Sequence, residues 1–220
     1  AAKLKNPLIK IIGVEPEGAA SALEARKSHH VVELDEANTI ADGTAVKKIG
    51  DITFDYIEKY VDDIVTVSDY ELMAAFLVLV EKHKIVAENS GILAVAGLKK
   101  LNVTGKKIIS IISGGNIDVL TISSMINKGL VARGRIFTFA VDLPDKPGQL
   151  VAVSQILSEQ NANVIRLEHN QFKNLDRFHE VELQVTVETN GEEHINKITQ
   201  EFEKKGYIIR RLNAQAMIDD

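Results

Sequence analysis

Residues 137–143, Phe137-Thr138-Phe139-Ala140-Val141-Asp142-Leu143, decide how this chain is read. Phe137, Phe139, Val141 and Leu143 share one face of an extended segment, and Thr138, Ala140 and Asp142 share the other. A period of two predicts a strand with one buried face. Downstream, Pro144-Asp145-Lys146-Pro147-Gly148 reads as a turn, and Leu150, Val153, Ile156 and Leu157 form a helical stripe. Val164 to Phe172 reads as a second strand. Val181, Leu183, Val185 and Val187 alternate with Glu182, Gln184, Thr186 and Glu188 as a third. Asn190-Gly191 is a turn, and Ile195, Ile198 and Phe202 lie at i, i+3 and i+7 on a second helix. Gly206 stops that helix, and Tyr207 to Leu212 supplies the last strand. The order βαββαβ is the ferredoxin-like split pattern. Its alternation predicts an antiparallel sheet with helices over one face and the other face open.

Upstream, the periodicity changes at Arg133-Gly134-Arg135, which divides the chain into domains 1–133 and 134–220. In the first, short apolar runs alternate with helical patterns. Leu8 to Val14, Ile64 to Val67 and Lys107 to Ile112 predict buried strands, the last of them the clearest. Glu15-Pro16-Glu17-Gly18 ends the first run, Ala19 to Lys27 reads as a short helix, and Val31 to Asn38 as partly extended. Ser68 with Glu71 three residues later predicts a capping box and a helix from Asp69 whose apolar face is Leu72, Phe76, Leu79 and Val80. A small-residue helix from Ile92 to Leu101 follows Glu88-Asn89-Ser90-Gly91, and another runs from Ser113-Gly114-Gly115-Asn116 to about Asn127. Strands and helices in alternation imply parallel strands with crossover connections, an α/β class.

The 220 residues are 45% apolar and 26% charged, an ordinary globular mixture. A net charge of −5 argues against nucleic acid as a partner, since phosphate binding needs a basic surface. No apolar run approaches the ~18 residues of a membrane span, and Lys3, Lys5 and Lys10 flank no signal-peptide core, so a cytoplasmic protein is expected. Without cysteine there are no disulfides, zinc thiolates or thiol nucleophiles. The histidines form no ligand set: His29 and His30 are adjacent, His83 sits near a helix end, and His169, His179 and His194 read as exposed. Asp62-Asp63, Asp219-Asp220, Glu33, Asp35 and Glu36 read as solvated surface. Ser113-Gly114-Gly115-Asn116 is the sharpest local feature, because glycines between strand and helix let a ligand approach the backbone; a plain turn is the alternative. No G-x-G-x-x-G or G-x-x-x-x-G-K-[ST] occurs, which leaves dinucleotide and P-loop readings unsupported.

Val14-Glu15-Pro16, Thr39-Ile40-Ala41-Asp42-Gly43, Glu88-Asn89-Ser90-Gly91 and Ser113-Gly114-Gly115-Asn116, in that order, resemble the C-terminal half of the threonine dehydratase and serine racemase family. Those are pyridoxal phosphate enzymes of the tryptophan-synthase-β-like fold (fold type II). From Phe137 onward the chain resembles an ACT domain, with Asp145-Lys146-Pro147-Gly148 as its first turn. An ACT tail behind such a core is similar to allosteric threonine dehydratases rather than serine racemases.

The resemblance implies that Ser113 holds the pyridine nitrogen of pyridoxal 5'-phosphate through a neutral hydroxyl, and that Gly114, Gly43 and Glu88 line the ring. It implies a monovalent or divalent cation on Glu15 and the Ala19 carbonyl, although Ser21 stands where divalent-binding relatives carry an acid. It implies a branched-chain amino-acid effector, isoleucine, bound at Pro147, Gly148, Asn163 and Ile165 between paired ACT domains, which would make the protein a homo-oligomer. The implied reaction converts L-threonine, or L-serine, by ammonia loss, for L-threonine to 2-oxobutanoate, a step of isoleucine biosynthesis. The family's Schiff-base lysine, in an S-F-K-x-R-G-A-like motif, and its tetraglycine phosphate loop do not occur in these 220 residues, so the chain alone is expected to be inactive. The other readings are a stand-alone, non-catalytic amino-acid sensor and a serine racemase or serine dehydratase parent.

Overall fold

In the computed structural model, which describes residues 1–170 and 180–212, the chain forms two units, Ala1–Ile126 and Asn127–Asp220. The division falls within a helix, Val119–Ala132, ahead of the Arg133-Gly134-Arg135 step.

In the first unit, Ile12–Pro16 (β1) and Asp63–Val67 (β2) pair in parallel, with Ile12 opposite Asp63 and Pro16 opposite Val67. Parallel neighbours need a long crossover. Here it contains the helices Ser21–Ser28 and Asp51–Tyr60. The second of these has no fully buried residue, Phe54, Ile57 and Tyr60 being half-buried along one side, and the sequence reading passed over it. Asp62, read as solvated surface, is instead a tie. Its carboxylate accepts from Lys3 Nζ at 2.7 Å and from the Ile11 N–H at 2.6 Å, and its carbonyl accepts from Arg26 Nη2 at 3.0 Å. The Lys3 bond is the main reason that the carboxyl is held below its usual range.

The helix Asp69–Val78 begins where the capping box places it. Ser68 Oγ accepts the Glu71 N–H at 3.3 Å, and Glu71 Oε2 accepts the Ser68 N–H at 2.9 Å. One further π turn, Leu79–His83, extends it. Leu72, Phe76 and Leu79 are buried with Val67, Ile92, Leu93, Ala96 and Met125, which form the core of this unit. Ser68→Ala is expected to cost about 1 kcal/mol of stability, measured by urea unfolding. A loss below about 0.3 kcal/mol would show that the cap contributes little there, and that the Lys100–Glu71 ion pair at 2.7 Å secures this helix end.

Four expectations need correction. Lys107 to Ile112 is not a buried strand: it pairs with no strand among the described residues, and Ile109 and Ile111 are 91% and 74% exposed. An apolar, β-branched run records a preference for a ladder, but only a neighbouring strand supplies one. For the same reason β1 starts at Ile12, where Asp63 offers a partner, and Leu8 and Ile9 remain exposed. The Ile92 to Leu101 helix is broken into the 3-10 turns Ser90–Ile92 and Gly97–Lys100 around Leu93–Ala96. Val31 to Asn38 is irregular, tied by Leu34 N–H to the Lys47 carbonyl and Asn38 N–H to the Gly18 carbonyl.

In the second unit, Ile136–Pro144 (β3), Asn163–Asn170 (β4), Glu180–Glu188 (β5) and Ile209–Arg211 (β6) form an antiparallel sheet in the order β4-β5-β3-β6. Gln149–Glu159 and Glu192–Lys204 are its helices. Phe139 lies opposite Val185, and Val141 opposite both Leu183 and Ile209. The four period-two residues of β3 are all buried with Val153, Ile156, Leu157, Ile195, Ile198 and Phe202. On the other face, the Thr138 and Thr186 hydroxyls share a hydrogen bond of 3.0 Å. There too, Arg210 bridges Asp142 at 3.1 Å and Glu182 at 2.8 Å. The register of β4 shifts between Val164 and Arg166, so Ile165 is the bulged residue. His194, expected to be exposed, is half-buried: it accepts the Asn190 N–H at Nδ1 (3.1 Å), and its Nε2 lies 2.7 Å from the Gln160 carbonyl. Phe172, His179, Asp219 and Asp220, named above, lie outside the described residues. Among the described residues no helix is long and apolar enough to cross a membrane.

Candidate functional site

Three loops of the first unit converge on a cavity of about 360 Å³. The first carries Ile40, Asp42 and Gly43, the second Glu88, Asn89 and Ser90, and the third Asn116, Ile117 and Asp118. That volume lies in the range of small-molecule sites.

The second and third loops are joined through main chain. Ser113 N–H donates to the Gly91 carbonyl at 3.1 Å, and Glu88 N–H to the Gly114 carbonyl at 3.3 Å. Both glycines are needed for this approach. A Cβ on Gly91 would lie 1.4 Å from the Ser113 carbonyl oxygen, inside the atom. Gly114 has φ +73°, and a Cβ there would lie 2.2 Å from the Glu88 carboxyl carbon. The Glu88 carboxylate is aimed by the third loop, its Oε2 accepting the Asn116 N–H at 3.2 Å. Opposite, a Cβ on Gly43 would sit 2.9 Å from Ser90 Oγ and 3.9 Å from Glu88 Oε1.

Of the four residues predicted to face a cofactor, Gly43 and Glu88 line the cavity, and Ser113 and Gly114 adjoin it through the bonds above. Sequence reasoning missed Asp42, Asn89, Ser90, Asp118 and Thr121. For Asp118 a signal was present. It stands three residues before Thr121, whose N–H and hydroxyl donate to its carboxylate at 2.9 and 2.5 Å. That is the spacing of a side-chain cap at the start of Val119–Ala132. These bonds, the hydroxyl first, hold the Asp118 carboxyl below its usual range.

Glu15 has a structural occupation. Its two carboxylate oxygens accept the N–H groups of Ala22 and Leu23 at 2.9 and 2.8 Å, which caps the Ser21–Ser28 helix. Burial nevertheless raises its pKa above the ordinary carboxylate value, outweighing those two bonds. Among the described residues no group of three or more His, Asp or Glu is arranged to hold a metal ion.

In the second unit, Gly148 (φ +94°) precedes the Gln149–Glu159 helix, and Asn163 Nδ2 donates to Glu188 Oε2 at 3.2 Å. Ile165 is exposed at the bulge of β4.

Residues 1–114 match the family model described as pyridoxal-phosphate dependent enzyme. L-threonine ammonia-lyase of Thermotoga maritima is 40% identical over 211 residues, covering 96% of this chain and 53% of that protein. A biosynthetic L-threonine dehydratase of Bacillus subtilis is 38% identical over 175 residues, covering 78% and 42%. The solved structure of the processed form of threonine deaminase isoform 2 from Solanum lycopersicum superposes with a TM-score of 0.52 at 33% identity, over 56% of this chain and 37% of that one. Maize serine racemase superposes with a TM-score of 0.51 at 32% identity, over 58% and 42%. The chain spans about half the length of the curated relatives it matches.

Proposed function

Because this chain belongs to the pyridoxal-phosphate dependent enzyme family, we propose that it forms the pyridine-side wall and the regulatory portion of an L-threonine ammonia-lyase. The observation that carries the reading is the meeting of Gly43 and Glu88 at one cavity, with the Ser113-Gly114 turn bonded to the Glu88–Gly91 loop beside it, in a chain 40% identical to an L-threonine ammonia-lyase. The cavity, about 360 Å³, is large enough for a small ring. Gly43 presents no side chain to it, and Glu88 is held at its edge by the Asn116 N–H. Ser113 would hold the ring nitrogen with a neutral hydroxyl, and Glu88 and Gly43 would flank the ring. Bound pyridoxal phosphate supplies the electron sink for losing the α-proton and the β-hydroxyl of threonine, giving 2-oxobutanoate and ammonia. The chain's own part is to position the ring and leave its nitrogen uncharged, which moderates that sink.

The lysine that binds the cofactor has to come from residues outside these 220, since no S-F-K-x-R-G motif is among them. The 220 residues alone are therefore expected to form no 2-oxobutanoate from L-threonine with added cofactor. Joined to the part of a relative such as the Thermotoga maritima enzyme that this chain does not match, they should do so, with L-serine as a second substrate. Turnover by the chain alone would overturn this reading, as would a joined protein that folds and binds the cofactor yet leaves threonine unchanged.

The second unit we assign as an ACT domain that pairs with its counterpart in a second subunit and binds a branched-chain amino acid. The βαββαβ order supports it, as do the main-chain amides after Gly148 and the exposed bulge at Ile165 beside Asn163. Titration calorimetry on the chain with isoleucine, valine and threonine should give heat with isoleucine. A dimer with no heat for any of the three would reduce the unit to assembly, and a monomer would remove both roles.

A further inference from the structure

We propose that Asn89 is a positioning residue of the cavity: its amide ties the Ile40 peptide to the Glu88–Ser90 wall and so sets the width of the slot that Gly43 faces. The inference rests on the cofactor reading above, because the slot matters only if a ring occupies it.

The Ile40 peptide is gripped from both sides by side chains remote in sequence. Its N–H donates to Asp69 Oδ2 at 3.2 Å, and its carbonyl accepts from Asn89 Nδ2 at 2.8 Å. Asp69, at the first position of the Asp69–Val78 helix, also takes the Thr39 hydroxyl at 2.6 Å, so that grip is anchored on the core. Asn89 is the other jaw, and it belongs to the opposite wall of the cavity. Its orientation is dictated, since a flipped amide would set its oxygen against the Ile40 carbonyl oxygen. Asn89 Oδ1 is buried and has no hydrogen-bond partner among the described residues. The tie to Ile40 is thus the hydrogen bond that its side chain makes there, and it spans the two walls. Three residues beyond Ile40, a Cβ on Gly43 would lie 2.9 Å from Ser90 Oγ, so the two walls come close beside the slot. Releasing the tie lets the 40–43 loop move relative to Glu88 and Ser90 without touching either wall's own bonds to the core.

The test uses the complete, lysine-bearing enzyme as apoprotein, titrated with pyridoxal phosphate by absorbance, with melting temperature measured in parallel. Asn89→Ala should raise the cofactor dissociation constant about ten-fold. Asn89→Asp keeps the size and removes the donor. It should match the alanine variant at neutral pH and regain affinity on acidification, when its protonated carboxyl can again donate to the Ile40 carbonyl. Wild type should show no such recovery. A lowered melting temperature with unchanged cofactor affinity in both variants makes Asn89 merely structural and overturns the proposal. A wild-type enzyme that does not bind pyridoxal phosphate overturns the cofactor reading itself, and this inference with it.

Discussion

Phe139→Ala is expected to destabilise the second unit by about 3–5 kcal/mol, the range for removing a fully buried phenyl ring. Phe139 is 0% exposed at the centre of β3. Its ring stacks on Phe137 and meets Phe202 edge-on, both with centroids 5.2 Å apart, and Phe202 meets Tyr207 at 6.1 Å. The substitution opens a cavity where strand and helix are pinned together. A domain of this kind holds about 5–15 kcal/mol in all, so a large part of its stability is at stake. Hydrogen exchange should show lost protection in β3, β5 and Glu192–Lys204, with Asp63–Val67 and Asp69–Val78 unchanged. A loss under about 1.5 kcal/mol in urea unfolding would mean that neighbouring side chains collapse into the gap, and that the ring cluster is not the centre of the core.

Gly91→Ala should cost about 3 kcal/mol, the upper end of overpacking, because the added carbon meets main chain and not a side chain that can turn aside. It would lie 1.4 Å from the Ser113 oxygen and 2.5 Å from the Ser113 carbonyl carbon. Relief requires parting the 88–91 loop from the 113–114 turn, which breaks the Ser113–Gly91 and Glu88–Gly114 hydrogen bonds. Gly115→Ala, two residues beyond Ser113, is the control. Among the described residues nothing lies within 4 Å of its added carbon, and the change should be within about 0.5 kcal/mol. Thermal unfolding of both variants decides it, and equal stabilities would show that the two loops are not in contact.

What the sequence reveals depends on whether the deciding partner is near in the chain. β3 was legible because one buried face imposes strict alternation on Phe137, Phe139, Val141 and Leu143. The Asp69 helix start was legible because Ser68 and Glu71 cap within one turn. Lys107 to Ile112 misled, since its apolar residues signal burial that only a neighbouring strand can provide. Asp51–Tyr60 was passed over although Phe54, Ile57 and Tyr60 recur at helical spacing, because that stripe is short and only half-buried. At the site, Gly43, Glu88, Ser113 and Gly114 were reached through the order of four motifs. Their contacts cross long stretches of chain that no local pattern encodes. Glu15 capping a helix seven residues on, and Asn89 reaching Ile40, are side-chain-to-main-chain bonds with no spacing rule. His194 was misread for the same reason, its partners being the main chain at Gln160 and Asn190.

The two margins of the antiparallel sheet are unlike: β4 offers eight residues with a bulge at Ile165, and β6 offers three. Copies that added β4 to the β6 of a neighbour would repeat head-to-tail, and such an array has no natural end. With three residues on one side, that contact gains few ladder bonds. Joining β4 to β4 is different, because the same long margin is consumed on both copies and none is left to recruit a third. Among the described residues the inequality would therefore act as a stop on polymer growth: were copies to associate through this sheet, they would close at two chains instead of running on into a fibre.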